Sequence, residues 1–354
     1  MSRDICWKHR HIDRRRLVAA SAAAGLGITL FGTAGLRARA AQDEPYRIVL
    51  IQGVTGDEFY VSMACGAQAA ADELGAELEV QGPERFDATL QAPLLSAVVQ
   101  SAPDAILIAP NDRAAMIAPI QEAIDADIAV FTVDTFIDSD IAVANIASDN
   151  VEGGRIAAQA LAELIGETGK VFVVNTIPGI STTDQRAEGF FEGLADYPDI
   201  VDLGQEYSNN DSTQAASIVN ARLQSDPDLA GIFGTNLFSA QGAAVAIEQA
   251  GLQGEVKVVS FDAGPTQVEQ LESGTVDALI AQHPFDIGYM GVQMAVEFLS
   301  TGTAPAETEV TTGYSIVTEE TIDDPEIARY LYVADCSEID TDGASPEAGA
   351  TPTG

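Results

Sequence analysis

The chain has 354 residues, with 17 Lys and Arg against 54 Asp and Glu and a formal charge of −37 at pH 7. A surface this acidic repels phosphate backbones, which excludes nucleic acid as a partner. Hydrophobic residues make up 46% of the chain, enough for packed cores, and the length suggests two domains.

Residues 1–40 read as an export segment. Arg14, Arg15 and Arg16 precede an apolar Ala/Gly-rich run from Leu17 to Leu36, and Ala38-Arg39-Ala40 supplies an A-x-A cleavage pattern. The arginine cluster resembles the twin-arginine class, with Asp13 where that class usually carries Ser or Thr. An uncleaved anchor is the competing reading, because the run is nearly long enough to span a bilayer. The small residues and the A-x-A ending favour cleavage. The working chain is therefore expected to be exported, in the periplasm or outside the cell and associated with the envelope. Eight of the 17 basic residues lie in this segment, so the remainder is more acidic still. That excess reads as a solvated shell; a cationic ligand would need the carboxylates gathered in a pocket. Cys6 also falls here, which leaves Cys65 and Cys336 either as free thiols or as one bridge in an oxidising compartment.

Beyond the segment, short apolar strands alternate with helical stretches. Tyr46–Val54, Glu77–Val80, Asp104–Ala109 and Ala129–Asp134 read as strands. Between the first two, Met63, Ala67, Ala71 and Leu74 stripe one helical face before Gly75 ends it. After a break near Ser148–Asn150 the theme restarts. Ile156, Ala160 and Leu164 stripe a helix, and Lys170–Thr176, Leu229–Asn236, Val256–Asp262 and Asp277–Gln282 read as strands. Strands so uniformly apolar belong in parallel sheets buried on both faces, so the expected class is α/β with two Rossmann-like lobes. Ligands of open α/β sheets sit at strand carboxyl ends, which here carry Asp134, Asn236, Asp262 and Gln282.

Four short stretches then fall in one register: NIASDNVEGGR at 145–155, RAEGF at 186–190, SFD at 260–262 and IAQ at 280–282. On these residues the chain from Tyr46 to about Val317 resembles the periplasmic solute-binding proteins of the ribose-binding type, which feed ABC importers of sugars. The resemblance implies a periplasmic-binding-protein-like fold with residues 46–148 plus 283–311 in one lobe and 149–282 plus 312–334 in the other. Three crossings, near Ser148-Asp149, Gln282-His283 and Thr311-Thr312, would form the hinge. Composition makes residues 335–354 a disordered acidic tail, and residues 318–333 extend past the usual family end.

The resemblance also implies ligand roles. Asp57 would face a sugar hydroxyl, and Phe59 and Tyr60 would sandwich the apolar face of the ring. Asp134 would accept two hydroxyl hydrogen bonds and Arg186 would donate several. Asn236, Asp262 and Gln282 would complete the polar ring, with Phe261 as a further stacking surface. Ser148, Asn111 and Asn210 stand at the margin of this set. Gly53, Ala109, Thr135 and Asn210 depart from the ribose binder, which points to other aldoses, deoxysugars and cyclic polyols.

Blander roles compete for the same residues. Asp134 and Asp262 suit helix N-caps, as do Asn111, Asp149 and Asn150, while Phe59 and Tyr60 suit a core. Enzyme readings fare badly. His283 is the single histidine after residue 40, no G-x-S-x-G elbow exists, and Gly169-Lys170 lacks the glycine spacing of a P-loop. Neither cofactor nor metal is expected, since one histidine and two cysteines make no typical zinc site. Asp134 and Asp262 as a glycosidase pair is the enzyme reading that survives longest. The expected partners are a small sugar or polyol and an ABC permease, the chain acting as a monomer. The alternative is a sensor subunit that presents its ligand to a chemoreceptor or kinase ectodomain.

Overall fold

The first strand, β1 (Arg47–Ile51), shows why the sheet is buried on both sides. Ile48 and Leu50 enter one core cluster while Val49 and Ile51 enter another, the two-residue alternation of an extended chain. The structure is a computed structural model that describes residues 44–339. The export segment expected in residues 1–40 lies outside it, as do residues 340–354.

From β1 the chain runs through α1 (Glu58–Leu74), β2 (Glu77–Gln81), α2 (Ala88–Gln100), β3 (Ala105–Ile108), α3 (Ile117–Asp125), β4 (Ala129–Val133) and β5 (Asn145–Ser148). Asp57 caps α1 by accepting from the Phe59 N–H, and Gly75 closes it in the left-handed conformation. Of the stripe expected on α1, Met63, Ala67 and Ala71 are fully buried, whereas Leu74 at the last turn is 41% exposed. A second run follows: α4 (Asn150–Leu164), β6 (Gly169–Asn175), α5 (Ser181–Leu194), β7 (Ile200–Tyr207), α6 (Ser212–Ser225), β8 (Leu229–Gly234), α7 (Leu237–Ala250), β9 (Lys257–Phe261), α8 (Pro265–Glu272) and β10 (Ala278–Gln282). The chain then returns through α9 (Pro284–Thr301), which packs on α1, to β11 (Glu309–Thr312), β12 (Tyr314–Val317) and the short α10 (Pro325–Ala328).

Two six-stranded sheets result. Their orders are β2-β1-β3-β4-β5-β11 and β7-β6-β8-β9-β10-β12. The first is parallel throughout, and helices cover both faces of each, so the architecture is two doubly wound α/β lobes. One strand departs from the all-parallel expectation. β11 ends beside Ser148, and after Gly313 alone the chain pairs Tyr314 with Gln282 at the carboxyl end of β10. A strand that enters a sheet from that end must run against its neighbours, so β12 is antiparallel.

Residues 335–339 correct the expectation of a disordered tail from Asp335. Cys336–Glu338 form a 3-10 turn, and Cys336 is disulfide-bonded to Cys65 of α1. The polar composition concealed a covalent anchor. Among the described residues no helix is long and apolar enough to cross a membrane.

Candidate ligand-binding site

The first lobe offers the loops after β1 and β4. Asp57 is buried at the start of α1, and its side chain accepts from Phe59 N at 2.9 Å. Burial, and then the nearby Asp262 charge, push its carboxyl well above the usual range. Phe59 and Tyr60 occupy the first turn of α1 with ring centroids 5.2 Å apart and planes at 88°. The pair therefore forms a corner, not the two parallel walls of a sandwich. The ring of Tyr60 passes over Gly53, where a Cβ would collide with its hydroxyl and stand 2.5 Å from Phe86 Cζ. Glycine at that position makes room for the larger ring. The Tyr60 hydroxyl donates to Asp134 Oδ2 at 2.7 Å.

Asp134 follows β4 in the left-handed conformation, φ +62°, which ends the strand and turns the carboxylate toward the other lobe. Its pKa is raised from 3.8 to about 6, chiefly by burial, with Arg186 and the Tyr60 hydrogen bond pulling the other way.

The second lobe supplies the donors. Arg186 lies on α5, with Thr182 and Thr183 one turn earlier on the same face. Its Nε donates to Asn150 Oδ1 at 2.8 Å and its Nη1 to the Thr235 carbonyl at 3.0 Å. The guanidinium carbon stands 3.9 Å from the centre of the Phe261 ring. Phe261 is thus a shelf beneath Arg186, buried against Gly153, Phe233 and Tyr314, and does not line the cleft. Asn236 caps α7 through Ser239 N at 3.1 Å and donates to Asn210 Oδ1 at 2.6 Å.

Asp262 follows β9, again left-handed at φ +80°. Its Oδ1 accepts from Gln282 Nε2 at 2.7 Å and from the Tyr332 hydroxyl at 2.9 Å. Its Oδ2 accepts from Leu237 N at 3.2 Å, with Arg186 Nη1 at 3.8 Å. Gln282 Oε1 is buried and has no hydrogen-bond partner among the described residues.

Asp57, Phe59, Tyr60, Asp134, Arg186, Asn210, Asn236, Asp262 and Gln282 line one cavity of about 30 Å³ between the lobes. Three residues named from the sequence lie elsewhere. Phe261 is the shelf just described. Ser148 sits at the hinge, its Oγ 3.4 Å from Thr312 Oγ1. Asn111 is held under the β1 loop, its Nδ2 donating to the Gly53 carbonyl at 2.9 Å. Sequence reasoning in turn missed Phe86, Thr176, Ile180, Thr182 and Thr183. Helical spacing from Arg186 would have found the last two.

The hinge is closely held. The Tyr314 hydroxyl donates to the Asp149 carbonyl across two of the crossings. At the third, His283 stacks on Tyr330 with ring centroids 3.3 Å apart. Burial, reinforced by Arg329, holds the His283 imidazole down to about 3, so it stays neutral at ordinary pH. Among the described residues no group of His, Cys, Asp and Glu is arranged to hold a metal ion.

Comparison with known proteins agrees with this geometry. The pattern of the periplasmic binding protein domain matches residues 48–304. The ribose import binding protein of Salmonella typhimurium is 34% identical over 252 residues, 71% of this chain and 84% of that protein. An ABC transporter solute binding protein from Agrobacterium vitis, bound with alpha-D-tagatopyranose, superposes with a TM-score of 0.80 at 46% identity, covering 81% of this chain and 99% of that one. A carbohydrate transporter solute binding protein from Agrobacterium radiobacter, in complex with D-arabinose, gives 0.78 at 29% identity, covering 82% and 100%. With two doubly wound lobes, a three-crossing hinge and a polar cage between them, this chain belongs to the periplasmic binding protein family, in its ribose-binding type.

Proposed function

We propose that this chain, as a monomer outside the cytoplasm, captures one monosaccharide or similar polyol between its lobes and delivers it to the permease of an ABC importer. The observation that carries the reading is the convergence of Asp57, Asp134, Arg186, Asp262 and Gln282, from both lobes, on a single small cavity. Carboxylates only accept, a guanidinium only donates, and a sugar hydroxyl does both, so this mixture can satisfy a buried polyol. Gln282 Oε1 is a buried acceptor with no partner among the described residues, which such a hydroxyl would satisfy. The corner of Phe59 and Tyr60 offers apolar surface to the C–H groups of a ring. A few charge-assisted bonds of ~1.5–3 kcal/mol suffice for micromolar affinity, about 8 kcal/mol.

At about 30 Å³ the cavity is too small to hold a sugar as it stands, so one enters only when the lobes part, as in hinge closure around a ligand. The cage groups now satisfy one another, Tyr60 with Asp134, Gln282 with Asp262 and Asn236 with Asn210. Hydroxyls would replace part of these bonds. The disulfide supports an oxidising compartment and thus export. Departures from the ribose type at Gly53, Ala109, Thr135 and Asn210 favour other sugars, and the tagatopyranose-bound neighbour makes D-tagatose the first to try.

The test is a thermal-shift screen of pentoses, hexoses, deoxysugars, inositols, polyamines and amino acids. Ligand at 1,000 times its Kd adds ~4 kcal/mol, or several degrees for a protein this size. A sugar or polyol hit supports the reading. A polyamine or amino-acid hit, or silence throughout, overturns it.

A further inference from the structure

Residues 318–339 lie beyond the matched domain at 48–304, yet they reach its centre. We propose that Tyr332 is a positioning residue of the ligand cage, acting through Asp262 and Gln282, and that the segment bearing it is a strap fastened to both lobes. The proposal rests on the reading of the cleft as a sugar site.

Each end of the strap has its own attachment. On the first lobe, Cys336 is bonded to Cys65 and Val333 N donates to Ser62 Oγ at 2.9 Å. On the second, Tyr332 N donates to the Ala263 carbonyl at 3.0 Å. Between them the Tyr332 ring is buried, edge-on to Phe59 with centroids 5.8 Å apart. A tyrosine buried this deeply needs partners for its hydroxyl, and it has two. Gln282 N donates to it at 3.1 Å, and it donates to Asp262 Oδ1 at 2.9 Å. The backbone N–H fills a lone pair of the hydroxyl and so aims its proton at the carboxylate.

The consequence for the ligand is geometric. Oδ1 of Asp262 already takes Gln282 Nε2 and the Tyr332 hydroxyl, which fill its two lone pairs. Oδ2 takes Leu237 N alone within hydrogen-bond distance. A sugar hydroxyl therefore meets Asp262 at Oδ2. The Gln282 amide is tied to Oδ1 by its nitrogen, which leaves its buried, unpartnered oxygen as the acceptor it can offer the same ligand. Tyr332 thus sets which hydroxyl geometry the pair can read without touching the ligand.

The experiment is calorimetric titration of wild type, Tyr332→Phe and Asp262→Asn with D-tagatose, D-arabinose and D-ribose and their deoxy analogues. In wild type the hydroxyl read by Asp262 is the one whose deletion no longer matters in Asp262→Asn. Tyr332→Phe is expected to weaken the parent sugar about tenfold and to shrink the penalty for deleting that same hydroxyl by about threefold or more. Equal weakening of every analogue is the mark of a merely structural residue and overturns the proposal, as does unchanged binding. If wild type binds neither these sugars nor any other sugar or polyol of the thermal-shift screen, the sugar reading falls and takes this proposal with it. If wild type binds and Tyr332→Phe matches it, only the proposal falls. Should Tyr332→Phe fail to fold, wild type with its disulfide reduced is titrated instead. The same shrinkage is expected there, and an unchanged penalty is the overturning result.

Discussion

Asp134 and Asp262 hold equivalent places in the two lobes. Each ends the fourth strand from the outer edge of its sheet, β4 and β9, and each is left-handed, at φ +62° and +80°. Each accepts a tyrosine hydroxyl, from Tyr60 at 2.7 Å and from Tyr332 at 2.9 Å. The left-handed turn costs a non-glycine residue about 1–2 kcal/mol, and Asp and Asn bear it best. In exchange both carboxylates point into the cleft in place of continuing the sheet.

Asp134→Asn keeps that backbone tolerance and a polar contact to Tyr60 but removes the charge. Sugar affinity should fall about tenfold or more, while the ligand-free protein at pH 7 should melt no lower than wild type. Asp134→Ala should lose affinity and also about 1 kcal/mol of stability through strain. Calorimetric titration and thermal melting of the two variants check this.

Binding should depend on pH through Asp134. Its folded pKa of about 6 lies above the ordinary 3.8, so the native state holds this proton more tightly than the unfolded chain does. The stabilising contribution is complete below about 4 and is lost as pH rises to about 6. A sugar hydroxyl that donates to the carboxylate favours the ionised form, so binding expels the proton, and affinity should rise from pH 4 to pH 6 and then level off. Titrations at pH 5 in buffers of different ionisation enthalpy would read the released proton. Asp57, which burial also raises above the ordinary range, can release a proton too, so the same titrations on Asp134→Asn assign the share that belongs to Asp134; His283, held to about 3, cannot be the source.

Two helix contacts depend on glycine. A Cβ on Gly189 of α5 would strike the Val151 carbonyl of α4, and one on Gly154 would strike the Arg186 carbonyl. The first lobe repeats the device, Gly66 against the Phe285 carbonyl and Gly288 against that of Met63. Gly189→Ala should cost about 1–3 kcal/mol and weaken sugar binding, since α5 carries Arg186. Urea denaturation with parallel titration measures both.

Reducing the Cys65–Cys336 bond, which closes a sequence separation of 271 residues, should destabilise the protein by about 2–4 kcal/mol. At roughly 2–4 °C per kcal/mol, melting with and without dithiothreitol will show the drop. The Cys65→Ser, Cys336→Ser double variant should melt with the reduced protein and be insensitive to reductant.

Much of this molecule is legible in its sequence. The central strands announced themselves because both faces are buried, so their residues are almost wholly apolar. β5, β7, β11 and β12 escaped notice because they lie at or next to sheet edges. Short or polar sequences such as NIAS, EVTT and YSIV suffice there. The polar ends of β4, β9 and β10 marked the cleft, since a carboxylate or amide ending a buried strand needs a reason. Phe261 misled for a matter of strand geometry: adjacent residues point to opposite sides, so a ring beside Asp262 faces the core. Tyr332 left no local trace. It reaches Asp262 from 70 residues away, in a segment past the usual end of the family for which the resemblance implied no ligand role.

The order of the strands also governs how the chain can fold. The first sheet lacks β11 and the cover of α9 until the second lobe has been made, and the second lacks β12 until β11 is in place. Neither lobe can finish alone, and the cysteine that seals them arrives 271 residues after its partner. Cys65 must wait that long for its partner, so the bond can close only after the strands of both sheets exist.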